Sequence, residues 1–89
     1  MEHNISFTGR ISSRYLLDPD KRYQISISIN DNRLHVPSKF GFYSRPVAPD
    51  IEVCTERSDT HFDVNVASVD EAILCVLVSP YKADPGNSR

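Results

Sequence analysis

In Tyr23-Gln24-Ile25-Ser26-Ile27-Ser28-Ile29-Asn30 every odd residue is apolar and every even one polar. Successive side chains of a strand point to opposite faces, so the pattern sets Tyr23, Ile25, Ile27 and Ile29 on a core and Gln24, Ser26 and Ser28 in water. A helix scatters the same isoleucines around its circumference. The segment is a half-buried strand, and the rest of the chain must supply a sheet for it.

Other segments share the period. Ile5, Phe7 and Ile11 alternate inward, with Gly9 in the remaining inward place, where a glycine marks a bulge or the close passage of another backbone. Asn30-Asp31-Asn32 reads as a tight turn into Arg33-Leu34-His35-Val36, because Asn and Asp tolerate left-handed backbone angles, and Pro37 closes that arm. Ile51, Val53 and Thr55 face inward on one strand and Phe62, Val64 and Val66 on the next, joined by the polar Arg57-Ser58-Asp59-Thr60. Ser38 to Asp50 reads as a long ordered loop with three aromatics, a glycine and two prolines.

The segment after residue 67 supports two readings. Ser68-Val69-Asp70-Glu71 matches a helix capping box, which puts a short helix near residues 68–77. Ala72 to Val78 is instead short, partly β-branched and continuously apolar, as a buried central strand would be. The strand is preferred. The expectation is an all-β, small antiparallel β-sandwich or barrel of about six strands over residues 1–80, followed by a mobile polar tail over residues 81–89.

Composition narrows the chemistry. A chain of 89 residues has room for one core. The apolar run Ala72–Val78 is far short of the ~18 residues of a membrane helix, so no membrane partner is expected. Met1-Glu2-His3-Asn4 lacks the basic and apolar parts of a secretory leader, so a cytoplasmic setting is expected. Cys54 and Cys75 are too few for a disulfide scaffold and wrongly spaced for structural zinc. Three glycines exclude a phosphate-cradling loop, and no metal site or cofactor is implied. His61 and Asp63 share one strand face, but no motif offers them a nucleophile. The chain is read as non-enzymatic.

A net charge of −2 conceals an asymmetry. Residues 1–48 hold seven basic against four acidic side chains, +3, and residues 49–89 hold three against eight, −5. The halves either present faces of opposite potential or interleave and cancel as their strands pair. Lys39-Phe40-Gly41-Phe42-Tyr43-Ser44-Arg45 brackets aromatics with cations, as a single-stranded nucleic acid site requires. It departs from the aromatic strand motif of RNA-recognition domains, which has a third aromatic where Pro46 stands. A plainer reading tucks Phe40 and Phe42 into the core, closing the open end of a sandwich.

Two functions follow. One is a module acting stoichiometrically on a protein partner, of inhibitor, immunity or adaptor type, through Lys39, Phe42, Tyr43, Arg45, Glu52 and Glu56. The other is a barrel for single-stranded nucleic acid or a nucleotide, using Arg10, Arg14, Lys39, Phe42, Tyr43 and Arg45. An exposed strand edge on so small a sheet leaves homodimerisation open.

Overall fold

The computed structural model describes residues 2–36 and 39–81. They form six strands: β1 (Glu2–Leu16), β2 (Tyr23–Ile29), β3 (Asn32–Leu34), β4 (Gly41–Ala48), β5 (Ile51–Arg57) and β6 (His61–Pro80). All pairings are antiparallel, and the described residues contain no helix. Pro37, the expected end of the second arm, and residues 82–89 of the expected tail lie outside the described residues. Tyr81 is anchored: its N–H donates to the Arg22 carbonyl at 2.9 Å, and the Arg22 guanidinium lies 5.7 Å from its ring centroid.

β6 organises the sheet. β1 runs along one of its edges; β5 pairs with its first part and β2 with its last. Phe7 faces Ala72 and Gly9 faces Ser68, so Val69, Asp70 and Glu71 stand opposite Thr8 alone. This bulge bends both strands, and Gly9, at φ +85°, takes the backbone angle the bend needs. The fold-back is large. His3 and Tyr15 are twelve residues apart, about 40 Å in a straight strand, yet His3 Nδ1 lies 3.2 Å from the Tyr15 hydroxyl. Two leaves result, one built from β5 and β4 beside the hinge strands, the other from β2 and β3.

Their inner faces pack together. Ile27, Ile29, Phe62, Val64 and Leu74 are completely buried, each worth roughly 1.5–3 kcal/mol against exposure. The inward positions expected on β2, β5 and β6 are occupied as the alternation required, and on β1 Phe7 and Ile11 join the core, whereas Ile5 is only half-buried and Gly9 is exposed at the bulge. Asn30 and Asp31 make the first hairpin with φ of 49° and 67°, the pair of positive angles that a two-residue turn demands. No ladder joins β3 to β4 among the described residues, so the curled sheet stops at a half-barrel rather than closing.

One open alternative is decided for the preferred strand, and two expectations are corrected. Residues 68–77 are strand: the Ser68 hydroxyl donates to the Asp70 carbonyl at 2.6 Å within the bulge, instead of capping a helix. Ala72–Val78 is not buried on both faces, for Ile73 is 55% exposed and Leu77 38%, because only the concave side of the half-barrel is covered. Most of the expected Ser38–Asp50 loop is strand β4, which returns on β5 through a tight Pro49-Asp50 turn. The number of strands agrees with expectation by a different division: β4 is gained, while the two segments on either side of residue 68 are one strand.

Candidate functional site

The open edges of the half-barrel, β2–β3 on one side and β4–β5 on the other, face each other across a seam. Val36, half-buried against the core, sits at its centre and lines three adjoining clefts. One has a volume of about 440 Å³, bounded by Tyr23, Arg33, His35 and Arg57. The next, about 210 Å³, is bounded by Lys39, Phe40, Tyr43 and Arg57. A third, narrow one brings Leu34 and His35 against Tyr43, Arg45 and Thr55. Among the described residues no Asp or Glu lines any of the three. Arg45 and Arg57 face the concave side, while Arg33, His35 and Lys39 stand exposed at its rim, and with no carboxylate among the described lining residues the cations focus positive potential there.

Tyr43, Arg45 and Arg57 arrive there by strand parity. On β5, residues 51, 53, 55 and 57 point inward, so Arg57 follows Ile51, Val53 and Thr55 to the concave side. Its Nε is buried and has no hydrogen-bond partner among the described residues, while the guanidinium lies 6.0 Å from the Phe40 ring centroid. On β4 the half-buried Tyr43 and the exposed Arg45 face the seam, whereas Phe42 pairs with Glu56 and turns to the rim. Phe40 is 65% exposed and Phe42 70%, so neither ring plugs the core. The correction has a physical cause: the inner face is already filled from β1, β2, β5 and β6, and β4 lies at its margin.

The convex face of the β4–β5 leaf holds the remaining candidates. Phe42, Glu56, Asp63 and Arg14 form one row across four strands, and Pro46, Glu52, Ala67 and Arg10 another. Arg14 grips Asp63 with two hydrogen bonds, Nε to Oδ1 at 2.7 Å and Nη2 to Oδ2 at 2.9 Å. Those bonds hold the Asp63 carboxyl below its usual range and raise the guanidinium above its own. Arg10 and Arg14 thus lie on the opposite face of the sheet from Tyr43 and Arg45. They interleave with the acids here, so the two halves of the chain neutralise one another on this face while the seam stays positive.

His61 has an unexpected neighbour. Its Nδ1 is 3.2 Å from the Ser58 hydroxyl and its Nε2 3.6 Å from Asp63 Oδ2, a serine–histidine–aspartate series. The Ser58 oxygen, however, accepts the backbone N–H groups of Thr60 and His61, both at 3.1 Å, and both Asp63 oxygens are held by Arg14. The series stabilises the β5–β6 turn. Among the described residues no three His, Cys, Asp or Glu side chains converge as a metal site would require. No described helix is long and apolar enough to cross a membrane. Cys54 and Cys75 stand on different leaves and are not joined; the Cys54 thiol donates to the Ser44 hydroxyl at 3.3 Å.

Arg33, His35 and Arg57 were not marked by any motif. Arg57 alone left a signal, a charge at an inward position of an alternating strand. Set against known proteins, the chain matches no protein-family model, no curated protein and no solved structure.

Proposed function

We propose that the seam binds single-stranded nucleic acid, with Arg33, Lys39, Arg45 and Arg57 meeting phosphates and Tyr23, Phe40 and Tyr43 meeting bases. One observation carries this reading: cations and rings line the clefts with no carboxylate among the described residues there. Stacking adds ~1–3 kcal/mol per base and tolerates any sequence, because every base has a π-face. Fluorescence anisotropy with a labelled thymidine decamer tests it. Affinity should fall as salt rises, with a log–log slope of about −2 to −3 for three or four contacts at roughly −0.7 each. Absence of binding at ~50 mM salt, or binding that salt leaves unchanged, overturns the reading.

The second reading is stoichiometric, non-enzymatic binding of a protein partner. It is supported by the outer edge of β4, which has no strand partner among the described residues and carries exposed Phe42 beside Glu56. The same edge would serve self-pairing in a homodimer. It ranks second because Arg10 and Arg14 offset Glu52, Glu56 and Asp63 on the adjacent face. Pull-down with Phe42→Ala and with Glu52→Lys/Glu56→Lys tests it: a partner recovered equally by both variants does not use this surface. Two thiols held on separate leaves suit a reducing compartment, which supports our proposal of a cytoplasmic setting.

A further inference from the structure

Arg57 differs from the other cations of the seam. Arg33, Lys39 and Arg45 are exposed, free to follow any anion that passes. Arg57 is half-buried, its guanidinium lies 6.0 Å from the Phe40 ring centroid, and its Nε is buried with no acceptor among the described residues, so the head group has little freedom to follow a passing anion. It also lines both larger clefts, which meet at Arg57 and Val36.

We propose that Arg57 holds a single internucleotide phosphate, with the two flanking bases in the two clefts, so that the smallest unit recognised is a dinucleotide. This rests on the nucleic-acid reading and specifies its site. A phosphodiester presents two anionic oxygens, and a guanidinium can meet both at once through its two terminal Nη groups. The clefts differ in what they offer a base. In the larger, Tyr23 contributes a ring, and the edge of β2 away from β6 has no strand partner over Tyr23–Ser26 among the described residues, because β3 pairs only with Ile27, Ser28 and Ile29. That edge carries backbone donors and acceptors suited to the rim of a base. In the smaller, Phe40 and Tyr43 provide rings on either side of Gly41, where the place of a missing Cβ is open within 4 Å. The shared wall at Arg57 sets the phosphate between the two.

The experiment uses the whole chain and four probes: labelled thymidine decamer, thymidine monophosphate, the thymidine dinucleotide with one phosphodiester, and the same dinucleotide with a neutral methylphosphonate linkage. The last three are measured by displacement of the first and by NMR titration. The dinucleotide should compete at least about tenfold better than the monophosphate, and neutralising its linkage should remove that advantage. Arg57→Gln should weaken the dinucleotide about tenfold and leave the methylphosphonate unchanged, whereas Arg33→Gln should weaken both less than about threefold. Arg57→Lys, which keeps the charge and loses the fork, should recover only part of the affinity.

Losses of equal size in Arg57→Gln and Arg33→Gln, or a methylphosphonate as good a competitor as the diester, overturn the assignment while the decamer still binds. A decamer that does not bind the wild type overturns the nucleic-acid reading itself. The methylphosphonate comparison needs only wild-type protein, so a poorly folded variant does not decide the matter.

Discussion

Gly9 sits where both hinge strands bend, and its backbone angle makes a measurable claim. At φ +85° a side chain there meets nothing within 4 Å, so replacement by alanine introduces strain in the backbone alone. Holding an L-residue in the left-handed region costs about 1–2 kcal/mol, and +85° lies beyond the centre of that region, which favours the upper end. For a chain of this size the urea slope is near ~1 kcal/mol/M, so Gly9→Ala should lower the unfolding midpoint by roughly 1–2 M with an unchanged slope. The melting temperature should fall by about 5–15 °C. D-alanine at residue 9, introduced by chemical ligation at Cys54, adopts the same angle without strain and restricts the unfolded chain. It should match wild type or exceed it by ~0.4–1 kcal/mol. An unchanged midpoint in the L-alanine protein refutes the role of the positive angle. Equal losses with both enantiomers refute the empty surroundings of the Cβ.

Phe62 is completely buried between β1 and β5, and Phe62→Ala should remove about 3–5 kcal/mol. Against a total of roughly 4–13 kcal/mol for this length, circular dichroism should show a melt that is much lower or no longer cooperative. Asp63 should shape the acid limb of stability. Its carboxyl is lower in the folded chain than in the unfolded one, so its contribution is present above the unfolded value and vanishes as pH falls through the folded value. Urea midpoints between pH 2 and 6 should fall less steeply in Asp63→Asn than in wild type. At the β2–β3 turn, Asp31→Gly should hold or raise stability because φ of 67° suits glycine. Asn30→Gly should instead lose about 0.5–1.5 kcal/mol with the bond from the Ile73 N–H to its side-chain oxygen, a contrast visible in paired urea titrations.

What could be read in advance was local. Period-two alternation placed Ile25, Ile27, Val53, Val64 and their neighbours correctly because it needs only a pleated backbone with one covered face. Gly9 and Asn30-Asp31 were legible for the same reason: each marks a backbone angle that few residues tolerate. β4 was hidden because a margin strand has no covered face to enforce alternation, so Tyr43, Arg45 and Pro46 can follow one another freely. Ser68 and Glu71 match a helix cap in spacing, and only pairing with β1 decides that the serine closes a bulge instead. The cationic loop was half of the candidate site. Arg33, His35 and Arg57 come from other strands, and no spacing along the chain encodes a juxtaposition made by curling the sheet.

The place of β6 also governs the order in which the molecule can assemble. Before residue 61 leaves the ribosome, the nascent chain can form only two short ladders, β2 with β3 and β4 with β5. Isolated hairpins of that kind are marginal in water. β1 must wait, unpaired, until the strand that completes it has been synthesised some sixty residues later. A chain ordered in this way gathers nearly all its cooperativity in one late step and closes long loops as it does so, which makes for slow folding. Its apolar edges are exposed meanwhile, so aggregation during synthesis should depend more on the arrival of β6 than on the stability of the finished sheet.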